Sequence, residues 1–171
     1  KKVTKINSLL NRGNYHPSKD FYKKLRDKII EVSKTESQKT KEDLAQVLNE
    51  ISPKKTGHYE VIINGYLKFL RGKKVKWVDP PCSLWSYEDL TIRVNPEIGL
   101  EIAGVKTAIK LYFSKDKLDS ENSNVILSIM EQSFDDKTIK PAILDVRRGK
   151  IFYLTGKSSQ YRVFVRNEAN L

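Results

Sequence analysis

The chain has 171 residues, 39% hydrophobic and 31% charged, a balance that builds a folded core and excludes a disordered polypeptide. No apolar run approaches the length of a membrane span. Thirty-two basic against 21 acidic residues leave a net charge of +11, a field that favours polyanionic partners such as nucleic acid. Cys82 is the sole cysteine, which excludes an internal disulfide and a thiolate zinc site and fits a reducing cytoplasm. His16 and His58 are the only histidines, too few for a histidine-rich metal site. The chain does not begin with Met and opens on no signal-peptide pattern, which leaves open whether the native N-terminus is present.

Residues 1–14 are polar and basic, with Gly13 breaking any helix. Pro17 then opens a helical pattern that places Phe21, Leu25, Ile29 and Val32 on one face. After a polar connection at 35–43, Thr40 is the expected cap of a second helix carrying Leu44, Val47, Leu48 and Ile51. A third helix is expected from near Thr56, with Tyr59, Ile62, Ile63, Tyr66, Leu67 and Leu70 as its stripe and Gly72 as its stop. Residues 75–78 suit a short edge strand, and Asp79-Pro80-Pro81 cannot sit inside a central one.

Residues 90–113 read as three strands. Ile98, Leu100 and Ile102 alternate before Ala103-Gly104, and Thr107, Ile109, Leu111 and Phe113 alternate after it. A two-residue turn at Ala103-Gly104 sets Ile102 opposite Val105, Glu101 opposite Lys106 and Glu97 opposite Lys110. Glu97, Glu101, Lys106, Ala108 and Lys110 then share the other face. Residues 116–134 read as a helix, 141–146 as a strand buried on both faces, and 147–150 as a turn into a strand at 151–154. A further strand is expected around Tyr161–Val165. The order implies an α+β fold: N-terminal helices over 1–72, then a mixed sheet over 73–171 with antiparallel hairpins and one right-handed βαβ crossover. The two regions are expected either apart or packed as one unit.

This order of elements resembles the restriction-endonuclease-like fold of the PD-(D/E)xK nuclease superfamily. In that family an acidic residue follows a proline near the start of a hairpin, and an acidic-x-Lys triplet lies on the next strand. Asn95-Pro96-Glu97 resembles the first element, and Ala108-Ile109-Lys110 stands where the second belongs. Lys110 matches; Ala108 departs, leaving the second carboxylate missing. The resemblance implies a magnesium-dependent phosphodiesterase with Glu97 and Lys110 in its site. Glu101, which projects to the same face, is the candidate to replace the missing carboxylate, so that Glu97, Glu101 and Lys110 are the candidate catalytic residues. Asp145, at the end of a buried strand, joins Glu97 and Glu101 as a candidate metal ligand. A magnesium ion needs oxygen ligands and retained waters, polarises the phosphate and lowers the pKa of an attacking water. Cross-strand ion pairs, Glu97 with Lys110 and Glu101 with Lys106, account for the same residues without catalysis. Asp145 has its own structural reading, paired with the turn backbone or with an arginine such as Arg147.

Two basic segments complete the candidate surface. Lys68, Arg71, Lys73, Lys74 and Lys76 crowd around a helix end beside Trp77, and Arg147, Arg148 and Lys150 surround a turn at Gly149. Both suit phosphate contacts, as does Lys106; a helix-dipole partner and a solvated turn are the structural alternatives. Trp77, Trp85 and Tyr87 are candidates to stack on bases or to join the core. Phosphate-loop, dinucleotide, serine-hydrolase and zinc-protease motifs are absent. Two functions follow: a nucleic-acid-binding protein with an altered nuclease site, or a non-catalytic binding or assembly module whose basic surface meets nucleic acid, an acidic protein or a second copy. DNA and RNA are equal candidates.

Overall fold

The computed structural model describes residues 20–87 and 90–156. In chain order these form α1 (Lys23–Lys34), α2 (Thr40–Gln46) running into a 3-10 turn (Val47–Glu50), α3 (Pro53–Leu70), β1 (Val75–Trp77), β2 (Ser83–Tyr87), β3 (Leu90–Val94), β4 (Ile98–Ile102), β5 (Val105–Tyr112), α4 (Ser120–Ser133), β6 (Lys140–Asp145) and β7 (Lys150–Tyr153). The architecture is α+β. A five-stranded mixed sheet has the order β1-β4-β5-β6-β7, and β2 and β3 form a separate two-stranded ribbon. Among the described strands only β5 and β6 run parallel, joined through α4 as the crossover requires.

Several boundaries differ from expectation for local reasons. Helix α1 starts at Lys23, because residues 21 and 22 form a turn in which Asp20 accepts a hydrogen bond from the Tyr22 amide at 3.1 Å. Pro17 and the strand expected around Tyr161–Val165 lie outside the described residues. Thr40 is the first helical residue of α2, not its cap, and its hydroxyl turns back to the Ser37 carbonyl at 2.7 Å. Helix α3 starts at Pro53 itself, whose missing N–H and fixed φ suit the first helical position. Helix α4 begins at Ser120, capped by the Asp119 carboxylate on the Asn122 amide at 2.7 Å. Ser83–Tyr87 is a strand that period-two reading overlooks, because Leu84 on its outward face is 65% exposed and breaks the polar-out pattern.

The sheet is covered on both faces. One layer of core joins Leu25, Ile29, Tyr59, Ile62 and Tyr66 of the helices to Ile98, Leu100, Ile109, Leu111, Ala142 and Leu144 of the strands. The opposite layer joins Ala108, Ile143 and Phe152 to Leu127 and Met130 of α4 and Val94 of β3. This explains the continuous burial of Pro141–Asp145, whose side chains meet a different layer at each step.

One polar link crosses the helical layer: the Tyr66 and Ser33 hydroxyls lie 2.6 Å apart, and Ser33 donates to the Ile29 carbonyl, which leaves the Tyr66 hydroxyl as the donor between them. Burial pushes the Tyr66 phenol up to about 12, with the Ser33 bond opposing weakly. A raised phenol stabilises the fold fully below the unfolded value near 10 and loses that contribution as pH rises through the folded value. Chemical denaturation between pH 10 and 12 should therefore show about 2–3 kcal/mol more alkaline destabilisation in wild type than in Tyr66→Phe. Equal alkaline slopes would show that the fold does not resist ionisation of this phenol.

Candidate functional site at the end of the sheet

Residues Ala103 and Gly104, with φ of 50° and 80°, make the tight turn between β4 and β5. Both residues are left-handed, as the turn requires, and the register is Ile102↔Val105, Glu101↔Lys106 and Ile98↔Ile109. Lys110 consequently faces the α4 side, where its stem lines an apolar groove with Val94, Pro96, Ile129 and Met130. Its Nζ lies 2.6 Å from Glu97 Oε1, and Glu97 Oε2 accepts the Leu111 amide at 2.8 Å. The β4 ladder stops at Ile98, and the Glu97 carboxylate replaces the carbonyl that a longer strand would offer Leu111. Glu97 thus ties β4 to β5 at the sheet's end.

The expected companion carboxylates stand apart from this pair. Glu101 shares the face but belongs to another row, opposite Lys76 on one side and Lys106 on the other. Between Glu97 and Glu101 lies Gly99, where an added Cβ would sit 2.1 Å from the Val78 carbonyl. The chain leaving β1 folds over this glycine and fills the space between the two glutamates. Asp145 is fully buried at the end of β6 and pairs with Arg148, not Arg147, at 2.9 Å. Arg148 also donates to the Lys115 carbonyl at 2.8 Å.

The structure adds residues that no spacing rule picks out. Asp20, Tyr22 and Arg26, at the start of α1, reach the same end of the sheet. Arg26 Nη1 lies 2.8 Å from Asp20. Burial lowers the Arg26 pKa, but the bond and charge of Asp20, with Asp27 and Glu97 behind them, outweigh it and leave the guanidinium raised. The Tyr22 ring stacks on Phe113 with centroids 5.3 Å apart, and its hydroxyl accepts from Arg147 at 3.4 Å.

As arranged, these carboxylates do not fit a magnesium ion. Glu97 is engaged by Lys110 and the Leu111 amide, Asp145 by Arg148, and Asp20 by Arg26 and the Tyr22 amide. Among the described residues no three acidic, histidine or cysteine side chains come together as a metal-binding group. Four residues along the chain separate Glu97 from Glu101 by about 13 Å, too far for one small octahedral ion.

The basic segments regroup. Lys68 lies against the β6–β7 turn: a Cβ on Gly149 would meet Lys68 Cβ at 3.2 Å and Cδ at 3.3 Å. Lys68, Arg147, Arg148 and Lys150 therefore form one surface, although about 80 residues separate them in sequence. Lys73 and Lys76 stand elsewhere. Lys73 donates to the Phe69 carbonyl and lies over the Phe69 ring, and Lys76 faces Glu101 across β1 and β4. Arg71 and Lys74 are exposed. Trp77 packs against the helical layer, with its indole N–H on Asp79 at 2.9 Å. Trp85 packs into the α4 layer and stacks on Tyr87. No described helix is long and apolar enough to cross a membrane. Compared with known proteins, the chain matches no family model, no curated protein and no solved structure.

Proposed function

We propose that the protein binds nucleic acid through the cationic end of its sheet, on a scaffold of the PD-(D/E)xK kind, without cutting it. The observation that carries this reading is the joining of Lys68 to the Arg147–Lys150 turn through Gly149. A net charge of +11 supplies attraction to any polyanion, and a cationic surface held at fixed spacing supplies contacts to phosphates. The scaffold reading rests on the β4–β5 hairpin, the α4 crossover and parallel β6, with Glu97 following Pro96 and meeting Lys110. An exposed, free Cys82 suits the reducing cytoplasm proposed for such a protein.

A second reading, a magnesium-dependent nuclease, draws on the same Glu97–Lys110 pair. The separation of Glu97, Glu101 and Asp145 favours the first. Incubation of labelled DNA and RNA with the full chain and magnesium decides between them. Binding without cleavage is the expected result, both in wild type and in Lys110→Ala. Metal-dependent cleavage that Lys110→Ala abolishes, with binding retained, would establish the nuclease instead.

A further inference from the structure

The turn between β6 and β7 is held from several sides. Gly149 donates to the Val146 carbonyl and Arg148 to the Asp145 carbonyl, which close the turn, and Gly149 takes a left-handed φ of 61°. Helix α3 presses on it at backbone distance: an added Cβ on Gly149 would lie 2.5 Å from the Gly65 carbonyl. Arg147, Arg148 and Gly149 are all half-buried. The turn is a packed ridge, not a projecting finger.

Reading bases requires an element that enters a groove; the major groove is about 8.5 Å deep, and its commonest specific contact is an arginine fork on guanine. Neither condition is met on this surface. Backbone contact with α3 flanks the turn, and both of its guanidinium groups are bonded within the protein. Arg148 holds Asp145 and the Lys115 carbonyl, and Arg147 holds the Tyr22 hydroxyl. Lys68 and Lys150, the latter with its Nζ 4.6 Å from the centroid of the Phe152 ring, are point charges on flexible stems, which suit phosphates and not base edges. Arg147, held in the ridge by one bond to a neutral hydroxyl, keeps its charge for a phosphate at the surface.

We infer that this ridge engages the phosphodiester backbone alone, so that the protein binds nucleic acid without regard to sequence. The inference rests on the nucleic-acid reading above. Backbone contacts fix position and carry no sequence information. Fluorescence anisotropy of the full chain with a panel of equal-length duplexes of unrelated sequence, at one salt concentration, tests it. Dissociation constants should agree within about threefold, against the thousandfold or more that base readout confers. A preference above about tenfold for one duplex would overturn the inference and leave nucleic-acid binding standing. Failure to bind any duplex or single strand at low salt would overturn the underlying reading as well.

Discussion

Gly65→Ala should destabilise the protein by about 3 kcal/mol or more, beyond most substitutions that overfill a core. An added Cβ would stand 1.9 Å from the Val146 carbonyl and 2.9 Å from two backbone atoms of Arg147. All three are main-chain atoms of the β6–β7 segment, so no side-chain rotation relieves the clash; α3 must move away from the sheet. Gly57 provides the control on the same helix. Nothing lies within 4 Å of its added Cβ, and Gly57→Ala should stabilise by about 0.5–1 kcal/mol through helix propensity. Urea denaturation of both variants checks the pair. Equal effects at the two positions would show that α3 does not approach the turn as closely as described.

Replacing Lys68, Arg147 and Lys150 together by Ala should weaken nucleic-acid binding by about tenfold or more without unfolding the protein. Each contact to phosphate adds to affinity, while Lys68 and Lys150 are exposed and half-buried Arg147 makes only a 3.4 Å bond to the Tyr22 hydroxyl, so their loss costs little stability. Replacing Arg71, Lys73, Lys74 and Lys76 should cost less affinity, because Lys73 is committed to the Phe69 carbonyl and Lys76 faces Glu101. Circular dichroism of each variant confirms folding, and anisotropy reads the affinity. A larger loss from the second set would move the binding face to the β1 edge.

The β4–β5 hairpin was legible in the sequence because both of its signals are local. Alternation assigns Ile98, Leu100, Ile109 and Leu111 to one face, and Ala103-Gly104 fixes the register that places Glu97 beside Lys110. The crossover was legible for the same reason, since α4 and β6 each carry their own pattern. What escaped depends on contacts between distant segments. Glu97 and Glu101 share a face by period, yet Val78 passes over Gly99 and separates them. Asp20 and Arg26 reach the sheet's end only because α1 lies across it. Arg148, not Arg147, takes Asp145, a choice set by the conformation of a turn and not by composition. The union of Lys68 with Arg147 and Lys150 depends on two glycines that permit backbone contact, Gly65 and Gly149, and neither glycine announces its partner.

The most direct measurement is the dependence of affinity on salt, for wild type and for the Lys68→Ala, Arg147→Ala, Lys150→Ala variant. Binding through phosphates releases counterions, so log affinity should fall steeply and linearly with log salt concentration in wild type. Loss of three phosphate contacts should make the variant's slope shallower by about 3. A wild-type affinity that does not change with salt would contradict binding through the cationic end of the sheet. A variant slope equal to that of wild type would place the contacts elsewhere on the protein.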